Sequence, residues 1–406
     1  MRLAIVSPLP EAPTGIADYT MDVVRSLGSS HEIELFHDQA RVSPALGTPA
    51  FPIHEMKTRG AFDAIVYQMG NAPLHDFMYD WMEKVPGIVV LHDLVLHAFT
   101  RRFLDSPESR AYAADPSSAA KQAAAEVTHG AYRDLIETLH PGQGERLKDA
   151  HLNSSGDLLS YAFPLFEPAL LHARAVGVHN SFMAEAIKEA RPDLPCVKVA
   201  MPVRALPVDE AAAKALRARL GFREEDAIVG CFGLVTREKR MESVARAVAR
   251  VAEIRPNVRL LLAGPVADAP WLKALLDRLG VSGRTLVTGR LDIDDFVAAM
   301  ALTDAVVHLR YPTARETSAA LLRVMAQGRP VIIEDIANQS EIPRDVARRV
   351  DPCDEEGDLT RSLDWILRNP GAARAMGERA AEYVRVEHSE ARTRESYDRL
   401  LASAPQ

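Results

Sequence analysis

Residues 228–265, IVGCFGLVTREKRMESVARAVARVAEIRPNVRLLLAGP, hold the pattern that decides the fold. An apolar run, Ile228–Phe232, precedes a loop carrying Arg237, Lys239 and Arg240. A stretch rich in Ala, Val and Arg then spaces its apolar residues helically to about Ile254, and a second apolar run, Arg259–Ala263, closes on Gly264 and Pro265. Short apolar runs bounded by turn residues read as buried strands, and a 3.6-residue spacing reads as a helix with one buried face. Strand, helix and strand in that order make a crossover unit of a parallel sheet.

The pattern extends in both directions. Downstream, strand signals at Arg284–Thr288, Ala305–Leu309 and Val331–Glu334 alternate with helical stretches, and the last helices run from about Leu359 to Ala402. Upstream, a separate series begins with Arg2–Ser7, the turn PLPEAPTG and a helix from about Tyr19 to Leu27; it continues through Ile33–Phe36, Ala64–Tyr67, Ile88–Leu91, Ala175–His179 and Val197–Ala200. Between 106 and 158 the chain turns Ala-, Glu- and Lys-rich and reads as a helical insertion. The expectation is an α/β protein of two Rossmann-like, doubly wound domains facing a central cleft, residues 1–203 and 204–385, with 386–406 a C-terminal helix returning to the first domain. Pro202 and Pro207 suit the boundary, and two domains suit a chain of 406 residues.

Composition excludes several classes. A formal net charge of −8 argues against a nucleic-acid partner, whose backbone demands clustered cations. Cys196, Cys231 and Cys353 are far apart, which supports neither a zinc site nor a disulfide framework. No stretch approaches the ~20 apolar residues of a membrane span, and the start lacks a signal peptide's apolar core, so the expected location is cytoplasmic. Amphipathic helices bearing Arg and Lys leave room for peripheral contact with the inner membrane face, but a solvated face is the preferred reading of them.

In a doubly wound sheet, ligands bind beyond the carboxyl ends of the strands. The loop after the first strand places Gly15 just ahead of a helix start, where free amides and the helix dipole favour an anion; a purely structural turn is the alternative. Asp18 and Tyr19 follow on that helix. VVLHDLVLH sets His92 and Asp93 at a strand end, and YQMGN adds Gln68 and Asn71, good partners for sugar hydroxyls, although Asn71 equally suits a capped turn. In the second half, Arg237, Lys239 and Arg240 meet a helix N-terminus, an arrangement that can hold a diphosphate, or else form a solvated basic loop. LRYPTARETSAALLRVMAQGRPVII, residues 309–333, offers Arg310, Glu316 and Arg323, with Thr317 and Ser318 as helix caps. Gly328 and Pro330 then end the helix.

SPLPEAPTGIADYT, VVLHD, VHNSFMAEAI, FGLVTREKR, LLLAG, VTGRLDIDDFVAAMALTDAVVHLRYPT and ETSAALLRVMAQGRPVI, in this order, resemble the retaining glycosyltransferases of family 4, in particular a subgroup with Glu-Thr-Ser at 316–318. That family has the GT-B fold, with the nucleotide held mainly by the C-terminal domain and the acceptor on the N-terminal side. The resemblance implies that Gly15 belongs to the loop near the donor phosphates, that His92 lies beside the transferred sugar, that Lys239 binds phosphate, and that Gly289 and Arg290 lie near the base. The family's arginine five positions before that lysine is Leu234 here, so a second charge falls to Arg237 or Arg240. Its two glutamates fall on Arg315 and Arg323; Glu316 takes over the first role, and Arg323 pairs with a phosphate or with Glu316.

The implied reaction is transfer from a UDP- or GDP-sugar to an acceptor hydroxyl with retention, by front-side attack, with no bound cofactor and no metal. Asp292, Asp294 and Asp295 are read as helix-capping residues rather than metal ligands. The acceptor is open: a polysaccharide, a lipid-linked sugar, a protein or a small molecule. Two other readings remain at this point, a silent nucleotide-sugar-binding scaffold and a nucleotide-sugar epimerase.

Overall fold

The computed structural model describes residues 1–97, 102–153 and 156–405. The chain divides into two compact units, Met1–Val199 with Ala314–Thr317 and Arg394–Gln406, and Ala200–Thr313 with Ser318–Thr393.

The first unit is built on a parallel sheet of β1 (Arg2–Val6), β2 (Glu32–His37), β3 (Ala50–Pro52), β4 (Ala64–Met69), β5 (Gly87–Leu91), β6 (Ala173–Val178) and β7 (Cys196–Lys198). Their order is β3-β2-β1-β4-β5-β6-β7. β5, GIVVL, is buried along its whole length, as expected of a strand covered on both faces. Chain order reverses between β1 and β4, so the loops after these two strands diverge and leave a crevice at their carboxyl ends. The helix Gly15–Leu27 starts in that crevice, capped by Thr14, whose hydroxyl accepts from Ile16 N–H. The insertion forms the helices Pro107–Ala114, Ala119–Leu139, Gly144–Leu152 and Gly156–Ala162. It has a small core of its own around Leu104, Tyr132, Ile136, Leu147 and Leu165.

The second unit repeats the plan with β8 (Ala227–Phe232), β9 (Val258–Ala263), β10 (Thr285–Val287), β11 (Ala305–His308), β12 (Val331–Glu334) and β13 (Arg348–Val350), all parallel, in the order β10-β9-β8-β11-β12-β13. The helix Met241–Ile254 buries Val244, Val248 and Val251, each contributing about 1.5–3 kcal/mol relative to exposure. Here the reversal falls between β8 and β11, which puts the loop 233–240 and the segment 309–313 at the crevice. Asp292 caps the helix Ile293–Ala301, its carboxylate accepting from Asp295 N–H, as the sequence indicates.

Strand positions agree with the sequence reading to within about two residues, and Val331–Glu334 agrees at both ends. Two edge strands, β3 and β13, were not expected. Neither carries an apolar run: β3 is AFP, ending on proline, and β13 is RRV, opening on two arginines.

Candidate active site

In the first unit, the loop after β1 is held rigidly. Gln39 clamps Leu9 by accepting from its N–H at 2.6 Å and donating to its carbonyl at 3.2 Å, and the hydroxyls of Ser7 and Thr20 lie 2.7 Å apart. Gly15 is exposed, with open space where a side chain would stand, so its backbone is accessible to a ligand. Asp18 is exposed one turn on. A cavity of about 530 Å³ lies alongside, lined by Pro8, Pro13, Asp38, Gln39, Leu74 and Phe77 among others.

The residues at the ends of β4 and β5 are more deeply placed than the sequence suggested. Asn71 is exposed, and its N–H donates to the Asp93 carboxylate at 3.2 Å, tying the two strand ends together. Gln68 is fully buried, so it meets protein groups rather than sugar hydroxyls. His92 is only 7% exposed, with Nε2 against the Gln68 side-chain oxygen at 2.9 Å and Nδ1 against His179 Nε2 at 3.3 Å. Any contact His92 makes with a ligand while those bonds hold therefore uses its ring edge or backbone. Tyr19 is also buried, its ring edge-on to His92 at 4.4 Å. Burial, followed by the neighbouring His179 and His75, holds His92 well below the usual histidine range.

Arg315 adopts a left-handed backbone, φ +60°, uncommon for a residue with a side chain. Its carbonyl accepts from Asn180 Nδ2 at 2.7 Å, and the same amide donates to the Thr317 hydroxyl at 3.2 Å. Asn180 thus holds the loop 315–317, which includes the half-buried Glu316, against the end of β6. Thr317 spends its hydroxyl there and does not cap the following helix. That role is Ser318's alone, its oxygen accepting from Leu321 N–H.

In the second unit, Lys239 is 7% exposed at the carboxyl end of β8, and its Nζ donates to the Phe232 carbonyl at 2.5 Å. Gly233 allows this: at φ +86°, a side chain there would stand 3.1 Å from Nζ and 3.9 Å from Ala320, in the first turn of the helix Ala319–Ala326. A buried ammonium and the positive end of a helix therefore converge on one glycine. His308, ending β11, is kept well below its ordinary pKa by burial and then by the charges of Lys239 and Arg310.

The arginines favoured from sequence lie elsewhere. Arg237 pairs with Asp268 at 3.1 Å and stacks over Trp271; Arg240 pairs with Glu355 at 2.8 Å. Arg240 also lies over the Tyr311 ring at 5.8 Å, so while paired with Glu355 it stays near the start of the loop after β11. Arg310 donates its backbone N–H to Glu334, a fully buried carboxyl at the end of β12 that burial, and the adjoining Glu355, push up to about 7. Arg323 is half-buried in the last turn of the helix Ala319–Ala326, not at its amino end. Gly289, at φ +70°, and the exposed Arg290 follow β10. Among the described residues, no three His, Cys, Asp or Glu side chains gather as metal ligands would, and no helix is long and apolar enough to cross a membrane.

Sequence reasoning did not single out His179, Tyr397, His308, Gly233 or Glu334. His179 and His308 stand at strand ends just as His92 does, and the same positional rule would have found them. Tyr397 carries no local signal.

Two doubly wound domains of this kind define the GT-B fold of glycosyltransferase structures. Residues 213–383, most of them in the second unit, match the family Glycosyl transferases group 1. The whole chain is similar to HepE of Anabaena, solved in complex with UDP-glucose, at 14% identity and a TM-score of 0.67, over 99% of this chain and 100% of that one. Sucrose-phosphate synthase from Thermosynechococcus elongatus gives 15% identity and a TM-score of 0.64 over 100% of both chains. A glycosyltransferase from Rickettsia africae gives 13% identity and a TM-score of 0.59 over 98% and 97%. No curated protein matches the chain by sequence.

Proposed function

We propose that this chain is a glycosyltransferase that moves a sugar from a nucleoside diphosphate sugar to an acceptor hydroxyl, with retention at the anomeric carbon and without a metal ion. The observation that carries this reading is Lys239, a buried ammonium that meets the amino end of the helix Ala319–Ala326 at Gly233, with Arg310 a further charge acting on the neighbouring His308. Glycosyl transfer breaks the bond between the anomeric carbon and the diphosphate oxygen, and the departing diphosphate gains negative charge. Fixed cations and helix amides aimed at that charge lower the barrier without reorganising. The departing oxygen can then take the acceptor's proton, so no protein nucleophile is needed. Retention, metal independence and the sugar-side place of His92 follow from the family resemblance. The acceptor, a glycan or another hydroxyl compound, would enter over the first unit near Gly15. The UDP-glucose complex of HepE makes UDP-glucose the first donor to try.

Titration calorimetry with UDP, GDP and their common sugar conjugates, with and without EDTA, tests the donor site. Micromolar binding of one nucleotide, unchanged by EDTA, supports it; loss of binding in EDTA refutes metal independence, and no binding to any nucleotide refutes the reading. NMR of the product's anomeric proton then decides between retention and inversion.

A further inference from the structure

Side chains of the first unit form one buried hydrogen-bonded line. Tyr19 Oη lies 2.7 Å from Tyr397 Oη, which lies 3.2 Å from Gln68 Nε2. Gln68 Oε1 lies 2.9 Å from His92 Nε2; His92 Nδ1 lies 3.3 Å from His179 Nε2; and His179 Nδ1 lies 3.1 Å from the Val199 carbonyl. The line collects groups from the helix Gly15–Leu27, the ends of β4, β5 and β6, and the C-terminal helix Glu390–Ser403.

Its protons can be counted. A carbonyl only accepts, so His179 carries a proton on Nδ1. If both imidazoles are neutral, His179 Nε2 is bare, His92 donates to it from Nδ1, and His92 Nε2 is bare in turn. A bare Nε2 needs the NH2 end of the Gln68 amide, which leaves the amide oxygen to accept from Tyr397. If the amide oxygen faces His92 instead, Nε2 carries a proton, the four ring nitrogens share three protons, and the pair holds one positive charge. A half-turn of one amide separates the two states.

We infer that Tyr397, Gln68 and His179 are positioning residues that decide which nitrogens of His92 are protonated, the Gln68 amide turning as the histidine pair gains or loses a proton. The inference rests on the reading that His92 lies beside the donor sugar. The groups packed around His92 are Tyr19, with Asp22 behind it, on one helix, Gln68 and His75 from β4 and the loop after it, His179 at the end of β6, and Tyr397 through Gln68. Burial and the two other histidines disfavour the charged pair, so near neutral pH the amide presents its nitrogen to His92, and the third proton enters only in acid.

The test uses the full chain with 15N-labelled histidine. At pH 8, the wild type is expected to show His92 protonated on Nδ1 alone. Gln68→Glu, ionised at pH 8, offers acceptors only, and should put protons on both nitrogens of His92 at that pH. Tyr397→Phe keeps the ring and removes one hydroxyl; it should mix the two His92 forms and lower kcat about tenfold, the scale of one hydrogen bond, with donor KM within twofold and the acid limb of the pH profile moved. Identical ring spectra in wild type and Gln68→Glu overturn the inference, as does Tyr397→Phe with unchanged spectra, kcat and pH profile. If the wild type turns over no donor, the proposed function fails, and the spectra still decide the relay.

Discussion

Replacing Lys239 by Met keeps an unbranched apolar side chain as far as Cε and removes the ammonium with its charge. At about 4 Å and an effective dielectric near 20, a unit charge pair attracts by about 4 kcal/mol, which bounds what the ammonium can give a diphosphate oxygen. The net is smaller, because Nζ already donates to the Phe232 carbonyl and Arg310 shares the neighbourhood. A charge-assisted hydrogen bond is worth about 1.5–3 kcal/mol; taking about 2–3 here, UDP should bind roughly 30- to 150-fold more weakly to Lys239→Met. The Phe232 carbonyl loses its donor from Lys239 as well, at about 1–3 kcal/mol of stability, so the variant's melting temperature must be measured and the titrations run well below it. Calorimetry with UDP and with uridine separates charge from shape: uridine has no phosphate and should bind both proteins alike. A UDP affinity within threefold of wild type, or an equal loss for uridine, refutes the phosphate role.

Other outcomes follow from the same geometry. Gly233→Ala forces a side chain into a φ of +86° and to 3.1 Å from Lys239 Nζ; it should cost about 1 kcal/mol or more in denaturant melts and weaken UDP but not uridine in calorimetry. His92→Ala should lower kcat in a donor-turnover assay by more than it weakens nucleotide binding, and equal losses in both would remove it from the sugar side. Glu334 is raised in the folded state to about 7 from an ordinary 4.5, so its contribution to stability is full below about pH 4.5 and is lost as pH rises through 7. Glu334→Gln, which can still accept from Arg310 N–H, should gain melting temperature relative to wild type at pH 8 and little at pH 4; the same difference at both would show that Glu334 does not titrate in this window.

How much of this was legible in the sequence depends on the range of the interaction. β8, the loop 233–240 and the helix after it are adjacent in the chain, so apolar spacing and turn chemistry expose them, and the same holds for Ser318 as a cap. Arg237, Lys239 and Arg240 look equivalent in sequence because what distinguishes them lies far away: Asp268 is 31 positions from Arg237, and Glu355 is 115 from Arg240. Those acids draw two cations off, while the third is buried under Gly233, a difference no local rule predicts. Tyr397 is the extreme case, 329 positions from Gln68. A hydroxyl on the last helix acquires meaning only once the sheet has set β4, β5 and β6 side by side. Burial patterns fix the scaffold because each strand or helix must hide its own apolar face. The polar network has no such local requirement: each member needs one partner from anywhere in the fold, and the strand-end rule that identified His92 could mark where partners converge without saying which they are.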